Sequence, residues 1–512
     1  VSDNFRLNVG VRADMPVWYD GLMNEDFNTR TIGLLEAKGK DLKGAKVGQP
    51  IKSTVHFSPR IGFNYDVNGD KETQVRGGIG VFTSRVPLVW PGGAYNNNGI
   101  SQNSILINNT TATPTPNFNP NTNIDSQLSG VPSAPLPGSG KVGGNIDLFA
   151  KDFKLPQVLK TSLAFDRKLG AGWIISAEAI WNENLNSIQY QNLNIDAPVT
   201  NLTGADNRPR YNGNVRIDNT YQGIYLASNK KAGSSWNTNF TVSKNFTSDF
   251  IDANISATYA YGESYVWMDA TSSQNSSQWQ FIETVNGSNA ISGVSRSDFD
   301  QGSRVLANSS LKFKWNKSIK TTIGFYYEGT QGTPFSYVYD DAGNLLRDTF
   351  AASALIYVPA NKSEIVFTPT ATMTADQQWE AFNSFISNDK YLNSRRGKYA
   401  ERNGDRLDWS HVIDVKIAQE FSINVNKKRH KLEFTADIFN FTNLLNKNWG
   451  RRYFMSNDQI LVLRHSGFLP NGTTPTFTYN PNTTSTVKNQ IDDVGLQSSR
   501  WQMQVGARYS FN

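Results

Sequence analysis

Apolar and polar side chains trade places at every second position in segment after segment of this chain. In 4–12, Phe5, Leu7, Val9 and Val11 alternate with Asn4, Arg6, Asn8 and Arg12. Period two is the spacing of a β-strand whose two faces meet different surroundings. It returns in 60–67 at Ile61, Phe63, Tyr65 and Val67, and again at Val75, Ile79 and Val81. Between these two runs lies Asn68-Gly69-Asp70-Lys71, where Asn-Gly supplies the positive φ of a tight hairpin. Leu159, Leu163 and Phe165 form the next run, and Trp173, Ile175, Ala177, Ala179 and Trp181 the one after. Trp236, Phe240 and Val242 are answered by Ile251, Ala253, Ile255, Ala257, Tyr259 and Tyr261. Val305, Leu311, Phe313 and Trp315 precede Ile323, Phe325 and Tyr327; Ile413, Val415 and Ile417 precede Leu432, Phe434, Ala436 and Ile438. The chain closes on Trp501, Met503, Val505, Ala507, Tyr509 and Phe511, set against Arg500, Gln502, Gln504 and Arg508. The pattern predicts about fourteen antiparallel strands.

Two features turn this pattern toward a transmembrane antiparallel β-barrel and away from a soluble sandwich. The polar face carries full charges in nearly every strand, opposite an aromatic and aliphatic face; lipid outside and water inside a closed wall require that arrangement. The connections also alternate in length. Short turns near 68–71, 169–172, 247–249 and 316–318 separate long polar stretches near 86–156, 183–219, 262–302, 329–408 and 443–497. Short periplasmic turns and long extracellular loops are the habit of outer-membrane barrels. Aromatics at strand ends, such as Trp173, Trp181, Tyr259 and Tyr261, suit interface girdles. The 107–145 stretch, rich in Asn-Pro, Thr-Pro and Pro-Gly pairs, reads as irregular loop. One loop segment differs. Thr374 with Gln377 forms a capping box, and Trp379, Phe382, Phe385 and Ile386 recur at helical spacing, so 374–393 is expected to hold a short helix over the barrel mouth.

Composition adjusts this picture only slightly. The mean hydropathy of −0.48 averages two alternating faces and hides the membrane-facing one. No apolar run is long enough for a transmembrane helix, which needs about 18 residues or more. The absence of cysteine among 512 residues excludes disulfides, thiolate metal sites and a cysteine nucleophile. A net charge of +6 is too mild to read as a nucleic-acid footprint, and no nucleic-acid partner is expected.

The segment Phe57-Ser58-Pro59-Arg60-Ile61-Gly62-Phe63-Asn64-Tyr65, followed by Arg76-Gly77-Gly78-Ile79-Gly80-Val81-Phe82, resembles consecutive strands of TonB-dependent outer-membrane receptors. Asp437-Ile438-Phe439-Asn440-Phe441-Thr442-Asn443-Leu444-Leu445-Asn446 resembles a strand near the C-terminus of that family. Gly506-Ala507-Arg508-Tyr509-Ser510-Phe511 resembles its closing strand, in which Tyr509 and Phe511 would act as the barrel-assembly signal; here Asn512 follows the Phe. Tyr327-Glu328-Gly329, Gly332-Thr333-Pro334-Phe335-Ser336-Tyr337, Leu355-Ile356-Tyr357-Val358-Pro359, Gln378-Trp379-Glu380 and Tyr399-Ala400-Glu401-Arg402-Asn403-Gly404 look like the Oar-like, carboxypeptidase-regulatory-domain subgroup of Bacteroidetes. The resemblance implies a 22-stranded barrel, a plug domain and a TonB box. On that reading residues 1–512 are the C-terminal portion of a receptor barrel, with the plug and roughly eight strands outside it. The implied place is the bacterial outer membrane, among lipid and lipopolysaccharide. TonB would engage the missing N-terminal region, and a surface lipoprotein is a further candidate partner.

No catalytic constellation is visible. His56, His411, His430 and His465 are scattered, and Gly77-Gly78-Ile79-Gly80 lacks the Lys-Ser/Thr of a phosphate loop. The chain is expected not to be an enzyme and to need no cofactor. Asp298 with Asp300, or Asp340 and Asp341 with Asn344, offers only part of the six to eight oxygens of a calcium site, so no metal site is expected. Ligand contact is expected on the loops, at Trp90, Tyr95 and Asn96 (running on to Asn98) and at Tyr265, Trp267 and Trp279, where aromatics stand beside amides and hydroxyls. The competing reading of each of these residues is loop-to-loop packing. The functional expectation is import of a bulky nutrient: a peptide, a glycan or a metal chelate. The alternative is an outer-membrane scaffold for a surface lipoprotein, secretion or assembly complex, with transport lost.

Overall fold

The computed structural model describes residues 3–102, 118–127, 144–213, 215–340, 345–348, 353–426, 428–482, 490–491 and 499–511. Most of the 107–145 loop therefore lies outside the described residues. Twelve long strands form one wall: β1 (Phe5–Asp14), β2 (His56–Asp66), β3 (Thr73–Thr83), β4 (Gln157–Gly170), β5 (Trp173–Asn192), β6 (Ser234–Thr247), β7 (Ile251–Val266), β8 (Gly302–Lys314), β9 (Ile319–Thr330), β10 (Ser410–Val425), β11 (Lys428–Phe439) and β12 (Gln502–Phe511). Each pairs antiparallel with the next in sequence. Among the described residues β1 pairs only with β2 and β12 only with β11, so the wall is open rather than a closed cylinder. Every alternating run named in the sequence became a wall strand. Among the described residues the count is twelve, not about fourteen. Further extended runs such as Gly223–Lys230 and Pro334–Asp340 are buried along nearly their whole length and belong to the loops above the wall.

Register keeps one face of the wall apolar from edge to edge. Val9 stands opposite Ile61, Ile61 opposite Ile79, Phe165 opposite Ala177, and Ala177 opposite Phe240. Phe240 meets Tyr259, Leu311 meets Ile323, Ile323 meets Ile417, and Leu432 meets Tyr509. A one-residue slip in any pair would send that strand's apolar side chains to the other face. The apolar face is solvent-accessible, with Val9 71%, Val505 71% and Tyr509 60% exposed. A patch this continuous far exceeds the few hundred Å² that soluble monomers leave bare; hydrocarbon is the surrounding that stabilises it. Aromatic belts mark its two margins. Beside the short turns lie Phe250, Phe313 and Trp315, with ring centroids 5.4–5.9 Å apart, and Trp173 under the Lys244 ammonium at 4.7 Å. Beside the long loops Trp236 meets Tyr261 edge-on at 5.2 Å, with Trp181 next in register. This is the girdle arrangement of the two membrane surfaces.

The opposite face is polar, and many of its charges form ion pairs. Arg76 bridges Asp166 and Glu178, Lys314 meets Asp252, Lys416 meets Asp437, Arg304 and Arg452 share Glu328, and Lys431 and Arg429 share Glu420.

Short turns occupy one end of the wall (67–72, 171–172, 248–250, 315–318 and the link between Val425 and Lys428). The described parts of the long connections (within 15–55, 84–156, 193–233, 267–301, 331–409 and 440–501) occupy the other. The sequence reading identified five of these loops and passed over 15–55. The loops fold together into a canopy with three buried apolar clusters. The expected helix is present as α1 (Ala375–Asn388). Thr374 Oγ1 accepts from Gln377 N at 3.2 Å, and Gln377 Oε1 accepts from Thr374 N at 2.8 Å. Trp379, Phe382 and Ile386 are buried against Phe367, Phe477 and Tyr479. Loop 193–233 is pinned to loop 331–409 by the fully buried Arg208. Its Nε donates to Asp206 Oδ1 at 2.7 Å, and its guanidinium lies 4.8 and 5.2 Å from the Tyr399 and Tyr339 rings. Both tyrosine hydroxyls donate to Asp206.

Candidate binding site in the canopy

Among the described residues two cavities of ligand size open in the canopy. The larger, about 400 Å³, lies between residues 283–296 and 400–404 and has Tyr265 of β7 on its wall. It is lined by charges of both signs, Glu283 and Glu401 with Arg296 and Arg402. The Arg402 guanidinium donates to the carbonyls of Val266 and Trp267, both at 3.0 Å, and burial lowers its pKa. Asn403 takes a left-handed φ of 55° and donates from Nδ2 to Arg296 O and Asp298 Oδ1. Arg402 and Asn403 thus clamp loop 331–409 to loop 267–301, and a Cβ at the next residue, Gly404, would run into the Tyr391 hydroxyl of its own loop. Glu283 accepts from Gln459 Nε2 at 2.7 Å, and burial pushes its carboxyl up to about 7.

The second cavity, about 370 Å³, is formed by loops 84–156 and 267–301 with Gln222 at its margin. Its walls are amides and hydroxyls, including Asn96, Asn97, Asn145, Asn275 and Ser273, around the carboxylate of Asp147. Asp147 sits in Asn145–Phe149, a strand that pairs parallel with Gly223–Lys230. Its Oδ2 accepts from Asn97 Nδ2 at 2.8 Å, and its backbone N–H donates to Asn97 O at 3.0 Å. Among the described residues Asp147 Oδ1 and Asn275 Oδ1 have no partner. Burial pushes the Asp147 carboxyl up to about 6, against hydrogen bonds from Asn97 and Asn275 that lower it. A Cβ at Gly93 would stand 2.5 Å from Asp147 Oδ2 and 2.9 Å from Asn275 Nδ2. Only glycine lets the short helix Val89–Asn96 pass so close to the acid.

The six loop residues singled out in the sequence fall in different places. Asn96 lines the amide cavity and Tyr265 the charged one. Tyr95 is partly exposed, its hydroxyl donating to Tyr19 O at 2.8 Å. Trp90 and Trp279 are buried in the canopy, their indole N–H groups donating to Ser272 O at 2.8 Å and Asn289 Oδ1 at 2.7 Å. Trp267 is half-buried with the Lys230 ammonium 4.4 Å over its ring. Asp147, Asn275, Glu283 and Arg402 were not read from the sequence as site residues; the Asn96–Asn98 run was the one signal near the amide cavity. Asp300 is held by Arg406 and Arg296, and Asp298 by Asn403; Asp341 and Asn344 lie outside the described residues. No group of three acidic or histidine side chains is placed to hold a metal among the described residues. Tyr509 and Phe511 sit exposed on β12 at the short-turn end, Tyr509 OH 2.6 Å from His430 Nδ1.

An apolar wall belted by aromatics, polar within and roofed by long loops, defines a protein that crosses a membrane with strands. Residues 1–450 match the family described as "Outer membrane beta barrel domain", and the chain belongs to it. It resides in the outer membrane. No curated protein matches. Among solved structures, the outer membrane transporter YddB of Escherichia coli is similar over 90% of this chain and 41% of its own, at 11% identity and TM-score 0.40. A mutant ferric enterobactin receptor (PfeA) of Pseudomonas aeruginosa is similar over 90% and 40%, at 8% and 0.36. The FrpB iron transporter of Neisseria meningitidis is similar over 86% and 39%, at 10% and 0.33. The chain spans about two fifths of the length of each.

Proposed function

We propose that residues 1–512 form barrel wall and ligand-gathering canopy of a TonB-dependent importer of the Oar-like subgroup, and that the chain performs no catalytic step. The observation that carries this reading is the division of the molecule: a wall that meets lipid on one side, and a packed canopy with ligand-sized cavities at one end. The receptor-like motifs support it as well. Tyr399-Ala400-Glu401-Arg402-Asn403-Gly404 builds the clamp beneath the charged cavity, so its resemblance to the subgroup rests on residues with a structural task. Coupling to TonB would run through a plug and TonB box that the resemblance implies outside these residues. Absence of catalysis is supported by the spread of the histidines: His56 accepts from Leu155 N, His411 lies against Tyr327, His430 against Tyr509 and His465 against Phe477.

The test is uptake by cells expressing the full-length gene against a deletion strain, with peptides, oligosaccharides and metal chelates as cargo. The expected result is accumulation of one class that stops when the proton-motive force is collapsed. Equal accumulation in both strains, with a surface lipoprotein co-purifying, would replace import with the scaffold role.

A further inference from the structure

The two canopy cavities differ in chemistry, and the difference points to a cargo. The charged cavity is lined by two guanidinium and two carboxylate side chains. Among the described residues no lysine, arginine or histidine lines the amide cavity; the polar groups described there are neutral apart from Asp147. An anionic ligand entering it would meet a carboxylate and no cation. A peptide terminus would bring a charge that only one group there could answer. A metal ion would find a single acidic ligand. A sugar hydroxyl is different: it donates once and accepts twice, without charge. Side-chain amides match it, because each presents a donor and an acceptor in one plane, and a carboxylate oxygen accepts from it strongly. Asp147 is 4% exposed, with one oxygen lacking a partner among the described residues; the same holds for Asn275 Oδ1 at 3%. Buried acceptors left empty cost free energy until a donor reaches them.

We propose that this cavity is a subsite for a neutral glycan, with Asn96, Asn97, Asn145, Gln222 and Asn275 binding ring hydroxyls and Asp147 accepting from the most deeply inserted one. This rests on the import reading and names its substrate class. At about 370 Å³ the cavity is near the lower end of ligand sites, roughly 300–1,000 Å³, so it would take the end of a glycan rather than its whole length. Gly93 keeps the helix backbone against Asp147 and so shapes the floor.

The experiment uses the detergent-solubilised full-length gene product on an array of short neutral and acidic oligosaccharides. Asn96→Ala/Gln222→Ala is run in parallel. Both side chains are exposed, so the fold is expected to survive; heat-modifiable gel migration checks that it does. The expected result is retention of neutral members only, with affinity falling roughly tenfold or more in the double variant. Retention of acidic members only, no retention at all, or equal affinity in the variant overturns the assignment. The parent reading fails separately. Glycan binding without energised uptake sinks import and leaves the subsite, whereas energised uptake of peptides or chelates without glycan binding sinks the subsite and leaves import.

Discussion

Wall and canopy both contain β-strands, and the strands of the two regions obey opposite rules. On β12, Val505 and Phe511 are 71% and 63% exposed; on the canopy strand Pro334–Asp340, Phe335, Tyr337 and Val338 are 0% exposed. In the wall, alternation sends most apolar side chains outward and leaves ion pairs on the other face, where Ile174, Ile180, Leu306 and Val412 are apolar exceptions. On that canopy strand both faces are covered, and the buried Tyr337 hydroxyl donates to Asp389 Oδ2 at 2.6 Å. The lesson is that the sign of the burial rule is set by the solvent each region meets. Canopy stability comes from packing between loops, whereas the wall draws on ladder hydrogen bonds and lipid contact.

That contrast can be broken at chosen points. The largest effect is expected for Phe382→Ala, which empties the space between Phe367, Phe385 and Tyr479 and should cost roughly 3–5 kcal/mol of canopy stability. Proteolysis of intact cells should then cut within 331–409 while the wall keeps its heat-modifiable migration; loss of both together would show that wall and canopy fold as one unit. Next comes Ile255→Arg on the lipid face of β7, expected to cost roughly 2–4 kcal/mol near mid-membrane and to reduce the folded barrel recovered from outer membranes. Asn254→Arg, one position along on the polar face, should assemble normally, and equal yields from the two would reverse the facing. The smallest effect is pH-dependent and confined to the canopy. The Asp147 carboxyl, raised to about 6 from 3.8, holds its proton more tightly in the folded protein than in the unfolded chain. Its contribution is complete below about pH 4 and disappears as pH rises through 6, roughly 3 kcal/mol at most. Canopy melting followed by tryptophan fluorescence should fall across that window and flatten in Asp147→Asn; an unchanged slope in the variant would remove Asp147 as the cause.

The wall was legible from sequence because lipid imposes a strict local rule, one face apolar at every second residue, that needs no knowledge of neighbouring strands. Helix α1 was legible for a similar reason: Thr374 and Gln377 signal its start within four residues. The canopy was not. Phe27, Leu35, Leu42 and Val47 in loop 15–55 follow no strand period, and their partners Ile146, Leu193 and Ile224 come from two other loops. Asp147 carried no signal because its neighbours Asn97 and Asn275 are brought to it by chain folding. Aromatics chosen for exposure on composition, Trp90 and Trp279, turned inward to cover apolar surface while bonding their N–H groups.

The paired charges on the polar face of the wall have a consequence for conduction. An ion pair such as Lys416 with Asp437 at 2.7 Å projects the field of a small dipole, which fades with distance faster than that of a lone charge. Salt damps what is left within about 8 Å. A solute passing these pairs would feel corrugation rather than a slope, so the paired stretches of the wall should sort anions from cations weakly.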